Sequence, residues 1–115
     1  MTTTKDKLTA MNARAAALYK ADPKTMSAFR GLMTAAGREG KLSHAMKELI
    51  ALAVAIGRGC DDCVTYHTSE AKSHGASREE LLEVLAVAIE MSGGPGTVYA
   101  AKSLAAFDDL QGEIP

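Results

Sequence analysis

Apolar residues at Leu8, Met11, Ala15 and Leu18 recur at roughly helical spacing and predict a first amphipathic helix over residues 5–20. Asp22 followed by Pro23 opens a second. An aspartate N-cap offers an oxygen to the free backbone N–H groups of a helix start, and a proline there has no N–H to leave unpaired. This helix should end before Gly37 or Gly40. Ser43 caps a third helix, which is apolar almost all round over residues 46–56 and reads as a buried central element with Lys47 and Glu48 near its start. Gly57-Arg58-Gly59 breaks it. A fourth helix opens at Cys60 or Asp61 and stops at Gly75, because glycine readily takes the left-handed conformation that ends helices. Ser77-Arg78-Glu79-Glu80 matches the S-x-x-E capping box, and LLEVLAVAIEM carries a fifth helix to Gly93-Gly94-Pro95-Gly96, which reads as a turn. A sixth runs from about Thr97 to Leu110. The stretches LIALAVAI and EVLAVAIE look alike, as any two core helices rich in Ala, Val and Leu would without duplication.

The pattern therefore predicts an all-α fold, a bundle of about six helices. At 115 residues and 47% hydrophobic content the chain suits one domain over 1–115, with its central part at about 43–96. Aromatic residues make up only 4% and there is no Trp, which fits closely packed helices better than a sheet. Thirteen basic residues nearly balance fourteen acidic ones, giving a net charge of -1 and no electrostatic reason to expect nucleic acid or an anionic membrane surface. Such apolar helices in so small a domain have surface left to bury against copies of themselves, so a homo-oligomer is expected. The opening segment MTTTKDKLTAMNAR lacks the apolar stretch of a signal peptide, and the run at 49–56 is too short to span a bilayer. A cytoplasmic location is the expectation. In a reducing compartment a C-x-x-C pair points to redox or metal chemistry rather than to a structural staple.

The segment from Glu48 to His67 carries the chemistry. Cys63 and His67 are four residues apart, so on a helix they share a face and the imidazole can approach the sulfur as a base approaches a nucleophile. Glu48 lies nine residues before Gly57 and His67 eight after Gly59, so an antiparallel hairpin sets both about 12–14 Å from its turn. Glu48 can then orient His67, in a relay Glu48, His67, Cys63. Beside an apolar run, desolvation should raise the Glu48 pKa and suit it to pass protons. Peroxide reduction needs a thiolate to attack one oxygen, a proton for the leaving alkoxide, and a second thiol to trap the sulfenic acid. Cys60 feels the positive end of a helix dipole but is opposed by Asp61 and Asp62, whereas Cys63 has a histidine. That comparison assigns attack to Cys63 and resolution to Cys60.

Glu48, eleven intervening residues, then Cys60-Asp61-Asp62-Cys63-Val64-Thr65-Tyr66-His67 resembles the E-x11-C-x2-C-x3-H signature of alkylhydroperoxidase D-like proteins of the carboxymuconolactone decarboxylase family. The resemblance extends over about residues 43–96. It implies an all-helical fold, homo-oligomers often built from trimers (a trimer or hexamer), and disulfide-forming reduction of hydroperoxides; the reading from these residues is a dithiol cycle that uses no flavin, haem or metal. The resemblance also implies a thiol reductant, in some members a lipoylated protein. Carried across, Cys63 is the sulfenic-acid cysteine, Cys60 its resolving partner, and Glu48 with His67 the proton relay. One position departs: alkylhydroperoxidase D proper has a histidine immediately before its second cysteine, where this chain has Asp62. The wider family's decarboxylases generally lack the cysteine pair.

Other readings of the same residues are plainer. Cys60, Cys63, His67 and His74 could together supply tetrahedral zinc ligands in a redox-sensing or zinc-binding module, and lactone decarboxylation is the other enzymatic reading. His74, before Gly75, suits a helix C-cap, and His44, just after an N-cap, suits the surface. Tyr66 and the six methionines read as packing. A glutamate at the beginning of a helix is ordinarily solvated, and only its register with His67 lifts Glu48 above that.

Overall fold

The caps read from the sequence start the helices of the folded chain. In a computed structural model that describes residues 2–110, these are α1 (Thr4–Ala21), α2 (Pro23–Gly37), α3 (His44–Arg58), α4 (Asp61–Ser73) and α5 (Arg78–Asp109), with no strand among the described residues. Asp22 accepts the Thr25 N–H at the head of α2, Ser43 accepts the Met46 N–H at the head of α3, and Ser77 with Glu80 closes a full capping box before α5. Each such cap stabilises its helix by about 1 kcal/mol. Gly59 (φ 70°) and Gly75 (φ 102°) end α3 and α4 in the left-handed region.

The fold class is as expected, with five continuous helical elements among the described residues, the fifth of them kinked. The Gly93-Gly94-Pro95-Gly96 segment does interrupt the helix, but briefly: only Gly93, at φ 68° and ψ -147°, leaves the helical region, and α5 is two helices joined across that kink. That conformation is open to glycine and strained for other residues. The kink folds the second half of α5 tightly onto the first. A Cβ at Gly96 would lie 2.8 Å from the Ser92 Cβ, so the close approach depends on the missing side chain.

α3, α4 and α5 pack on one another and hold the core. Leu49, Leu52, Val64 and Leu81 are all but fully buried, each large side chain contributing about 1.5–3 kcal/mol. Thr68 and Ser103, both inaccessible to solvent, satisfy each other by a 2.7 Å hydrogen bond between α4 and α5. α3 is not buried all round, as its apolar sequence suggested: Ile50 is 47% and Val54 56% exposed. α1 and α2 lie to one side, α1 burying only Thr4 and α2 no residue. By length and composition α5 is long and apolar enough to cross a membrane, yet it is kinked and packs its buried face on α3 and α4.

Candidate functional site

The Gly59 turn delivers Cys60 to the N-cap of α4 and Cys63 one turn into it. Cys60 Sγ accepts the Cys63 backbone N–H at 3.3 Å, the place an N-capping oxygen usually takes. The two sulfurs are joined in a disulfide across Cα atoms 5.2 Å apart. Tyr99, from the second half of α5, donates its hydroxyl to the Gly59 carbonyl at 3.1 Å and steadies this turn from 40 residues away. Asp61 and Asp62 oppose a thiolate less than their sequence position implied. Lys102 Nζ lies 2.9 Å from Asp61 Oδ1, and the Arg14 guanidinium 3.0 Å from Asp62 Oδ2.

Glu48 joins the two helices of the hairpin. Its Oε1 accepts from His67 Nδ1 at 2.7 Å, and its Oε2 accepts from His44 Nε2 at 3.1 Å. Because a carboxylate only accepts, His67 carries its proton on Nδ1, which leaves Nε2 free on the opposite edge of the ring. Burial pushes the Glu48 pKa up, as the sequence suggested, but the hydrogen bond and charge of His67, followed by those of His44, outweigh it. The carboxyl is therefore held below its ordinary value, not above it. Tyr66 sets its ring edge-on to His67 at 5.0 Å between centroids, and its phenol pKa is raised by burial, then by Glu70 and Glu48.

Cys60, Cys63 and His67 open on a cavity of about 570 Å³ whose α3 wall is Ala51, Val54, Ala55 and Arg58. Those positions fall on one face of α3, the same face that carries Glu48 a turn earlier. The cavity thus has an apolar flank, Arg58 in its lining, and a disulfide beside an imidazole. His74 does not join the cysteines: its ring stacks on His44 at 3.8 Å, and among the described residues no group of three or more ligand-type side chains could hold a metal ion.

A profile of the carboxymuconolactone decarboxylase family matches residues 23–106, from the first residue of α2 into the second half of α5. The chain belongs to this family. An uncharacterized protein of Cupriavidus necator is 57% identical over 106 residues, covering 92% of this chain and 94% of the relative. The crystal structure of a carboxymuconolactone decarboxylase family protein from Legionella pneumophila superposes with a TM-score of 0.88 at 37% identity, over 92% of this chain and 95% of that one. A crystal structure from Thermotoga maritima gives 0.86 at 27% identity, over 95% and 96%. The alkylhydroperoxidase D-like assignment within the family, expected from the Glu48 to His67 motif, agrees with these matches.

Cys60, Cys63, His67 and Glu48 are brought together in one site, and His74 caps α4 as expected, its Nδ1 donating to the Glu70 carbonyl at 2.8 Å. His44 is a correction: it is half-buried against Glu48, not a surface residue. Its spacing of four from Glu48 on one helix was the available signal. Arg58, read only as part of a helix break, lines the cavity, and Tyr99 could not be tied to the Gly59 turn by any local pattern.

Proposed function

We propose that this chain is a thiol-dependent peroxidase that cycles Cys60 and Cys63 between dithiol and disulfide. The observation that carries the reading is the shared cavity, in which a C-x-x-C pair stands beside an imidazole whose far nitrogen is fixed by a carboxylate. In the reduced state His67 Nε2 takes the Cys63 thiol proton. The thiolate attacks one peroxide oxygen, the O–O bond breaks, and the departing alkoxide receives that proton from His67, leaving an alcohol and a Cys63 sulfenic acid. Cys60 then attacks the Cys63 sulfur, the S–S bond forms, and the hydroxide leaves with the Cys60 proton as water. An external dithiol, of the class a lipoylated protein presents, returns two electrons and two protons by thiol–disulfide exchange.

Two features of the geometry favour Cys63 as the attacking residue: it shares a helix face with His67, and its sulfur can be reached by Cys60 from the preceding N-cap without moving a helix. The lactone chemistry in the family's name gives the thiol pair no task. Dihydrolipoamide-driven consumption of an alkyl hydroperoxide tests the reading. Wild-type protein should turn over, and Cys63→Ser and Cys60→Ser should each abolish sustained turnover. Equal turnover in either variant would remove the dithiol cycle.

A further inference from the structure

The Glu48 carboxylate is held at both oxygens, and only one of its partners belongs to the peroxidase cycle. His67 takes Oε1 at 2.7 Å and His44 takes Oε2 at 3.1 Å. His44 is itself held. Its ring stacks on His74 at 3.8 Å between centroids, with 11° between planes, and lies close to the end of α2, where a Cβ on Gly37 would stand 3.8 Å from the ring. His74 is anchored in turn by Nδ1, which donates to the Glu70 carbonyl at 2.8 Å. The contacts run from the C-terminal end of α4, through the first turn of α3, back to the middle of α4.

We propose that His44, braced by His74, is a positioning residue that clamps the second oxygen of Glu48 and so holds His67 in the tautomer whose Nε2 is free for Cys63. A glutamate held at one oxygen can rotate its carboxylate about its last torsion, a broad and soft one, and present either oxygen or neither to His67. Two imidazoles on opposite oxygens remove that freedom. The fixed tautomer matters because a neutral imidazole protonated on the wrong nitrogen has no lone pair for a thiol proton. Outer partners that orient a functional histidine through a carboxylate have this kind of effect elsewhere, on the order of tenfold or more when removed. The clamp gives the site a second histidine on Glu48, while the position before Cys63 is occupied by Asp62, whose carboxylate turns to Arg14.

This inference deepens the peroxidase reading and rests on it for its kinetic consequence, whereas the tautomer can be measured without turnover. The experiment compares wild type, His44→Leu and His44→Gln, since glutamine keeps an N–H that can reach a glutamate one turn on. Ring nitrogen NMR of His67 in reduced protein should show one Nδ1-protonated tautomer in wild type and His44→Gln, and a mixture in His44→Leu. Peroxide turnover should fall about tenfold in His44→Leu, through kcat rather than KM, and return to within about twofold in His44→Gln. His74→Ala, which removes only the brace, should give a smaller loss of the same kind. An unchanged His67 tautomer in folded His44→Leu would overturn the proposal. Wild type showing the fixed tautomer but no peroxide turnover would sink the peroxidase reading and leave the clamp standing.

Discussion

Glu48 and His67, 19 residues apart on facing helices, meet at 2.7 Å between Oε1 and Nδ1. The contact ties the start of α3 to the middle of α4, and His67 in turn lines the cavity that also holds Cys60 and Cys63. The carboxylate that bridges the hairpin is also the group that sets the imidazole's tautomer.

Acid stability should depend on Glu48. Its folded pKa lies below the ordinary carboxyl value because His67 and His44 together outweigh burial. A depressed carboxyl contributes stability that is present above its unfolded pKa of about 4.3 and is lost as pH falls through the folded value. Urea unfolding from pH 7 down to pH 3 should show a decline in wild type that is shallower in Glu48→Gln. At neutral pH the variant should be about 1–2 kcal/mol less stable, having exchanged a charged acceptor for a neutral one. Identical pH slopes would remove Glu48 as the source.

Close approach within α5 should make Gly96 intolerant of even a methyl group. Gly96→Ala places a Cβ 2.8 Å from that of Ser92 and should cost about 1–3 kcal/mol in denaturant unfolding. Gly40, with nothing within 4 Å of an added Cβ, should accept alanine with little change or a gain of about 0.5 kcal/mol.

The sequence made the helix starts legible because Asp22, Ser43 and Ser77 are local signals that act through neighbouring backbone. Glu48 and His67 were legible for a related reason: two helices joined by a short turn at Gly59 keep register by counting. The break at Gly93-Gly94-Pro95-Gly96 was legible too, but not its shortness: only Gly93 leaves the helical region before a helix resumes. His44 was missed although its spacing of four from Glu48 was a local signal; its stacking on His74, thirty residues away, had none.

The buried pair Thr68 and Ser103 offers a double-mutant test of the α4–α5 contact. Ser103→Ala leaves the Thr68 hydroxyl without the partner it has at 2.7 Å and should cost about 1–3 kcal/mol. Adding Thr68→Val removes the orphan and should recover much of that loss, so the two substitutions should be clearly non-additive. Additive losses would mean that the hydroxyls do not depend on each other.

We propose that copies of this chain cover one another's α2. That helix buries no residue, and Phe29 and Leu32, on one face, are 53% and 63% exposed. Sedimentation velocity should report an oligomer, a trimer or a multiple of one, and Leu32→Asp should shift it towards monomer. A wild-type monomer at micromolar concentration would contradict this.

The most direct test of the dithiol peroxidase is a single turnover. Metal-free, fully reduced protein is mixed with one equivalent of an alkyl hydroperoxide, and intact mass and peptide mapping are followed against peroxide consumed. The account predicts loss of two hydrogen atoms, a disulfide between Cys60 and Cys63, one alcohol formed for each disulfide, and a trapped sulfenic acid on Cys63 in Cys60→Ser. Thiols that stay reduced while the peroxide persists would contradict it.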